Sequence, residues 1–179
     1  MSQSIPAGFL ARLDARDRAL FVRLAHDSRH AHPLPRVWMV ITHAGGARAS
    51  IGICLLSTLV PGVSIRLAWH SLLLLGVSHL IVQIVKRFAG RPRPSSSLHF
   101  HALIAVPDRF SFPSGHACAA MSVAVAYAWT FPLLAIPLLL VALAVGASRV
   151  VLAVHYPGDV VMGQAIALVT AYAMHAFVG

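Results

Sequence analysis

The sequence predicts an all-α fold: a polytopic membrane helix bundle of about five transmembrane helices, preceded by an N-terminal amphipathic helix in the interface. Three observations carry that prediction. Of the 179 residues, 58% are hydrophobic and only 11% charged, with a mean hydropathy of +0.78. Average globular usage is about half apolar and a quarter charged, so a soluble fold could not hide this surface. Apolar runs recur at about residues 47–60, 65–85, 114–130, 133–152 and 157–176. Most basic residues lie between them: six arginines precede residue 40, and Lys86, Arg87, Arg91, Arg93 and Arg109 crowd one later loop and its border. With a formal net charge of +9, such clusters beside a bilayer read as contacts to anionic headgroups or phosphates. Nucleic acid is excluded as a partner, because a chain this apolar offers no soluble basic face. The chain reads as one membrane-embedded domain, 1–179, with 1–46 an interfacial segment and 47–179 the bundle.

Taken in order, residues 7–27 place Phe9, Leu10, Leu13, Leu20, Phe21 and Leu24 on one helical face and arginines and aspartates on the other. The charge density forbids spanning, so the helix should lie in the interface; a helix packed on a partner protein has the same pattern. No cleavable signal peptide is expected, since Phe9 and Leu10 are followed at once by Arg12, Asp14, Arg16, Asp17 and Arg18. His30, His32, Pro33 and Pro35 form a solvated linker, because no cysteine or carboxylate stands at ligand spacing to them. Val37–Ala44 reads as a half-helix ending at Gly45 and Gly46. The first span, 47–60, is short against the roughly 20 residues a crossing needs and must tilt little, thin the bilayer or borrow length from that half-helix. Pro61-Gly62 turns into the second span, 65–85. A polar loop, 86–112, leads to the third span, 114–130. Pro137 falls early enough in the fourth, 133–152, to be tolerated or to kink it, and Pro157 suits the first position of the fifth, 157–176. Cys54 and Cys118 read as small buried hydrophobes within spans. His70 and His79, nine apart and so on nearly opposite helix faces, read as hydrogen-bonded within the bundle.

Short turns between five spans put the end of the second, the start of the third, the end of the fourth and the start of the fifth on one side of the membrane. The chemistry-bearing residues gather at those four termini. In Pro113-Ser114-Gly115-His116, Ser114 is an N-cap, Gly115 admits a ligand to the backbone, and the helix start is an anion site with His116 on its rim. In Lys86–Pro94 (KRFAGRPRP), Lys86 supplies a point charge and Arg93 a planar fork, the mixture that phosphate oxygens call for. Arg87 and Arg91 read as ordinary basic-loop residues without a ligand. Ser148–Asp159 adds Arg149 as a third cation. Asp159, four residues past His155, suits both the helix dipole and a hydrogen bond from His155 Nδ1-H, which would leave Nε2 free as a nucleophile. Together these groups describe metal-independent phosphoryl transfer through a phosphohistidine, with no cofactor.

Lys86-x6-Arg93-Pro94, Pro113-Ser114-Gly115-His116 and Ser148-Arg149-x5-His155-x3-Asp159 resemble the three signature motifs of the type 2 phosphatidic acid phosphatase superfamily. The resemblance covers residues 86–159, with residues 1–80 matching only in layout. It implies a metal-independent phosphatase acting on a lipid phosphate or polyprenyl diphosphate. His155 would be the nucleophile, His116 the acid/base and Asp159 the orienting partner, with Lys86, Arg93, Ser114, Gly115 and Arg149 binding phosphate. A lipid-phosphate binding or transport protein is the alternative, using the same cations without the His155–Asp159 pairing. The expected location is a bacterial cytoplasmic membrane. There the resemblance puts the site on the extracytoplasmic side, whereas the arginine-rich N-terminus, on the same side as the site, argues for the cytoplasmic side. His99 and His101 in the polar loop are read as not contacting a headgroup.

Overall fold

A computed structural model of the chain describes residues 7–25, 34–98, 102–104 and 108–178. His30, His32, Pro33, His99 and His101 lie outside the described residues. The regular structure among the described residues is helical, apart from one isolated antiparallel bridge between Pro92 and Phe110. The elements are α1 (Ala7–Leu24), α2 (Leu34–Ala44), α3 (Ala47–Leu56, extended by a 3-10 turn over Ser57–Leu59), α4 (Ile65–Ala89), α5 (Pro94–Ser97), α6 (Gly115–Thr130), α7 (Ala135–Val151) and α8 (Pro157–Val178).

By length and composition α4 and the segment Pro132–Val151 are able to cross a membrane. A third crossing results if Arg36–Ala44 and Ala47–Leu59, bent by 53° at their junction, count as one. That bent pair is the short first span and its half-helix. Among the described residues length and composition alone thus supply two or three crossings rather than the expected five, and α6, at 16 residues, is one of the expected spans that is short of a full crossing.

α6 is the centre. Its sequence GHACAAMSVAVAYAWT has no polar face, and Ala117 through Tyr127 are all buried, as befits a helix enclosed on every side. Small residues let α4, α7 and α8 approach it closely. Polar side chains tie the layers: Ser78 and Ser122 hydroxyls lie 2.8 Å apart, and Ser57 and Tyr127 hydroxyls 2.6 Å apart. At Gly163 a Cβ would collide with the Ser114 carbonyl oxygen, so glycine is what lets α8 lie against the first turn of α6. Outside, large apolar side chains face away from the protein, Phe88 at 88% and Leu133 at 96% exposure, as a lipid-facing surface requires. Cys54 and Cys118 are free and fully buried, as expected.

α1 is an amphipathic helix that meets the bundle through an acidic and aromatic stripe. Asp14, Asp17, Arg18 and Phe21, on one helical stripe, contact the bundle, while Leu20, Val22 and Leu24 are exposed. The reason is a counter-charge and an aromatic ring on the bundle: Arg91 and Tyr156 meet the acidic stripe, and Phe21 packs edge-on to Tyr156 at 5.2 Å between centroids.

Candidate active site

Two helix ends and two helix starts build the site. α4 ends at Gly90, whose φ of 57° is a left-handed cap that glycine adopts without a steric penalty. The chain then turns back, and Ser111 N donates to Arg91 O at 2.9 Å, folding the polar loop on itself. α7 ends in a Schellman turn: Val154 N donates to Arg149 O at 3.1 Å and Ala153 N to Val150 O at 2.9 Å. Ala153 takes the left-handed position, φ 60°, where glycine is usual. This turn sets Arg149 and His155 side by side, with His155 N also bonded to Arg149 O at 3.1 Å. α8 starts with Pro157 at the first helical position, and Asp159 Oδ2 reaches back to accept from Tyr156 N at 2.8 Å, the reciprocal half of a capping box. Ser114 N donates to Asp159 O at 2.9 Å, joining the starts of α6 and α8.

Of the eight residues that the motifs single out, Lys86, Arg93, Gly115, His116, Arg149 and His155 line one cavity of about 620 Å³. Ser114 and Asp159 are fully buried behind it. Ser114 caps α6, its hydroxyl oxygen 3.5 Å from Ala117 N. Arg93 donates through Nη1 to Val154 O at 2.7 Å and lies 3.3 Å from His155 Nε2. Because a guanidinium can only donate, that contact leaves the lone pair on Nε2 and the proton on Nδ1. The Nδ1 atom faces Asp159 Oδ2 at 3.6 Å, too long for a hydrogen bond, and has no other partner. The expected His155–Asp159 hydrogen bond is thus open by several tenths of an ångström, because Tyr156 N and Arg91 hold the carboxylate from its other sides. Burial, reinforced by the charges of Arg149 and Arg93 and opposed by Asp159, pushes the His155 imidazole down to about 4. It is therefore neutral at ordinary pH.

Four residues of the site are not legible as such in the sequence. Asp108 bridges the cations, its carboxylate accepting from Lys86 Nζ at 2.7 Å and Arg93 Nη2 at 2.6 Å, and its carbonyl from Arg93 Nε at 2.8 Å. Burial opposes ionisation of Asp108, but these two cations outweigh it and hold the carboxyl below its usual range. Thr42 of α2 accepts from Arg149 Nη1 at 2.7 Å, while Arg149 Nε is buried without a partner. His79 also lines the cavity, on the wall beside Gly115, and its ring nitrogen lies 3.0 Å from Gln83 Nε2. Arg91, read from the sequence as an ordinary basic-loop residue, pairs with Asp159 Oδ1 at 2.7 Å, Asp17 at 2.7 Å and Asp14 at 2.8 Å. No sequence signal marks the pairings of Asp108, Thr42 and Arg91, since their members lie 15 to 107 positions apart. Among the described residues no three His, Cys, Asp or Glu side chains cluster closely enough to hold a metal ion.

The profile of the PAP2 superfamily matches residues 67–179, more than half of the sequence and every motif above. The chain belongs to the PAP2 superfamily. Relatives of this PAP2 protein include the decaprenylphosphoryl-5-phosphoribose phosphatase of Mycolicibacterium smegmatis, 43% identical over 91 residues, which are 49% of this chain and 47% of that one. The lipid A 1-phosphatase of Rhizobium johnstonii is 35% identical over 96 residues, 49% of this chain and 38% of that one. The matched part thus spans about half or less of each relative. In fold, this PAP2 protein is similar to the first transmembrane PAP2-type phosphatidylglycerolphosphate phosphatase from Bacillus subtilis. The TM-score is 0.74 at 24% identity, covering 93% of this chain and 86% of the other. Aquifex aeolicus LpxE gives a TM-score of 0.74 at 20% identity, covering 89% and 94%. The PAP2 protein is a helical membrane protein.

Proposed function

We propose that this protein is a membrane phosphatase that removes phosphate from a lipid phosphate or polyprenyl diphosphate, without a metal, through a phosphohistidine on His155. The observation that carries this reading is the position of His155, its Nε2 beside Arg93 on the wall of a cavity lined by Lys86, Arg93 and Arg149. A phosphoryl group entering the cavity takes up the donors of Arg93 and Lys86, together with the unpartnered Nε of Arg149 and the amides at Gly115. Ser114 supports that helix start. Drawing Arg93 onto phosphate also frees Nε2.

The Nε2 lone pair then attacks phosphorus in line as the bond to the leaving oxygen breaks, and His116 gives that oxygen its proton. The three cations stabilise the charge on the equatorial oxygens. Asp159 stabilises the positive imidazole ring that results. In the second half, neutral His116 takes a proton from water, the water oxygen attacks phosphorus, the N–P bond breaks, and inorganic phosphate leaves.

The phosphatase names of the relatives and the apolar exterior support a lipid-borne substrate whose tail stays among the helices while the headgroup enters the cavity. The site faces the extracytoplasmic side of a bacterial cytoplasmic membrane. The test is phosphate release by purified protein from undecaprenyl diphosphate, phosphatidic acid and phosphatidylglycerophosphate in the presence of a chelator. Turnover of at least one lipid is expected, with its loss in His155→Ala. Dependence on a divalent ion, or activity intact in His155→Ala, would overturn the reading.

A further inference from the structure

Asp159 has two oxygens with separate tasks. Oδ2 accepts from Tyr156 N and faces the His155 imidazole. Oδ1 accepts from Arg91 Nη1 at 2.7 Å. Bonds to both oxygens fix the plane of a carboxylate that is itself fully buried, so the side that Oδ2 turns to His155 is set in part by Arg91.

Arg91 in turn is held from three directions. Its Nη1 also meets Asp17 Oδ2 at 2.7 Å, its Nη2 donates to Asp14 Oδ1 at 2.8 Å, and its guanidinium lies 4.0 Å from the centroid of the Tyr156 ring. Asp14 and Asp17 both belong to α1. Asp17 also accepts from Gly158 N at 2.7 Å, so α1 caps the first turn of α8 from outside it.

The charges bear on the reaction. A guanidinium pairing with Asp159 alone would cancel most of the negative field that the carboxylate exerts on His155. The two α1 aspartates share Arg91, with Arg18 paired to Asp14 at 2.7 Å. Among Asp14, Asp17, Asp159, Arg18 and Arg91 one negative charge is left over. Asp159 therefore keeps its orientation from Arg91 without losing its field to it.

We infer that Arg91 is a positioning residue for Asp159, and that α1, through Asp14 and Asp17, completes the catalytic apparatus as well as lying at the interface. The inference rests on the phosphatase reading above. It assigns a role to a loop arginine outside the residues that the motifs single out.

The experiment compares wild type, Arg91→Met, Arg91→Lys, Asp17→Asn and the Arg91→Met/Asp17→Asn double variant, with His155→Ala as a blank. Phosphate release is measured from undecaprenyl diphosphate, phosphatidic acid and phosphatidylglycerophosphate in detergent micelles, with the melting temperature of each variant recorded. Arg91→Met is expected to lower kcat about 10–100-fold, the scale on which partners that orient a catalytic ligand act, with KM within about twofold of wild type. Arg91→Lys recovers part of the loss. Asp17→Asn, which leaves Arg91 in place, lowers kcat several-fold alone and adds nothing in the Arg91→Met background, because the pair acts through one path. Wild-type kcat in Arg91→Met and Asp17→Asn would overturn the inference, as would a loss that appears only in KM or that tracks the melting temperature across the series. A wild type that turns over beside a dead His155→Ala and an unimpaired Arg91→Met sinks this inference alone. A wild type that releases no phosphate from any of the three lipids sinks the phosphatase reading with it.

Discussion

His155 is fully enclosed, beside two arginines, and carries no proton on Nε2. Its folded value of about 4 lies below the ordinary 6.5, so between those values the unfolded chain binds a proton that the folded chain refuses. Stability contributed by the neutral ring is fully present above pH 6.5 and is lost as pH falls from 6.5 through 4, on the order of 3 kcal/mol in all. Melting temperature in detergent should therefore drop across that window in the wild type, and the drop should be shallower in His155→Gln. Equal slopes would mean that the ring titrates normally and is not held neutral by burial. At this scale the sequence was informative about which residue types matter, since a serine-capped helix start, two histidines and three cations name a phosphate chemistry. It could not reveal Asp108 or Thr42, because a carboxylate and a hydroxyl in a loop and a short helix carry no pattern of their own.

The junction between α7 and α8 decides where His155 points, and it depends on a turn that the sequence disguises. Ala153 occupies the left-handed position of the Schellman turn with its methyl fully buried. An alanine there costs about 1–2 kcal/mol against glycine in backbone terms, offset by the methyl group's burial of about 0.8 kcal/mol. Ala153→Gly should accordingly stay within about 1 kcal/mol of wild type. Ala153→Val puts a β-branched side chain where φ is positive and should destabilise by about 2 kcal/mol or more. Melting curves of the two variants check this, and the valine variant should lose turnover as well, because the turn holds Arg149 beside His155. Wild-type behaviour in Ala153→Val would show that the junction does not depend on this backbone state. Helix boundaries were legible to within a few residues because proline, serine caps and apolar periodicity mark them. The inward stripe of α1 was not: apolar periodicity groups Leu20, Phe21 and Leu24, but only a cation on another element tells which side of the helix turns in.

For the whole molecule, the arrangement brings four helix termini to one mouth and leaves an apolar exterior around it. Which side of the membrane that mouth faces is open to a direct measurement. Cys54 and Cys118 are fully buried, so a single introduced thiol can be read against a low background. Ser96→Cys, in the exposed part of the polar loop, should react with an impermeant thiol reagent added outside intact cells. Labelling only after lysis would put the site in the cytoplasm. The sequence by itself determined the helical membrane class, the order and approximate ends of the segments, and the residues of the three motifs, because hydropathy, caps and spacing are local properties that each stretch carries alone. Only the tertiary structure decided that Arg91 stands behind Asp159, that α1 turns its acidic stripe inward, and that Asp108 spans the two cations. Each of those is a match of charge between distant elements, and such a match exists only once packing has brought its members together.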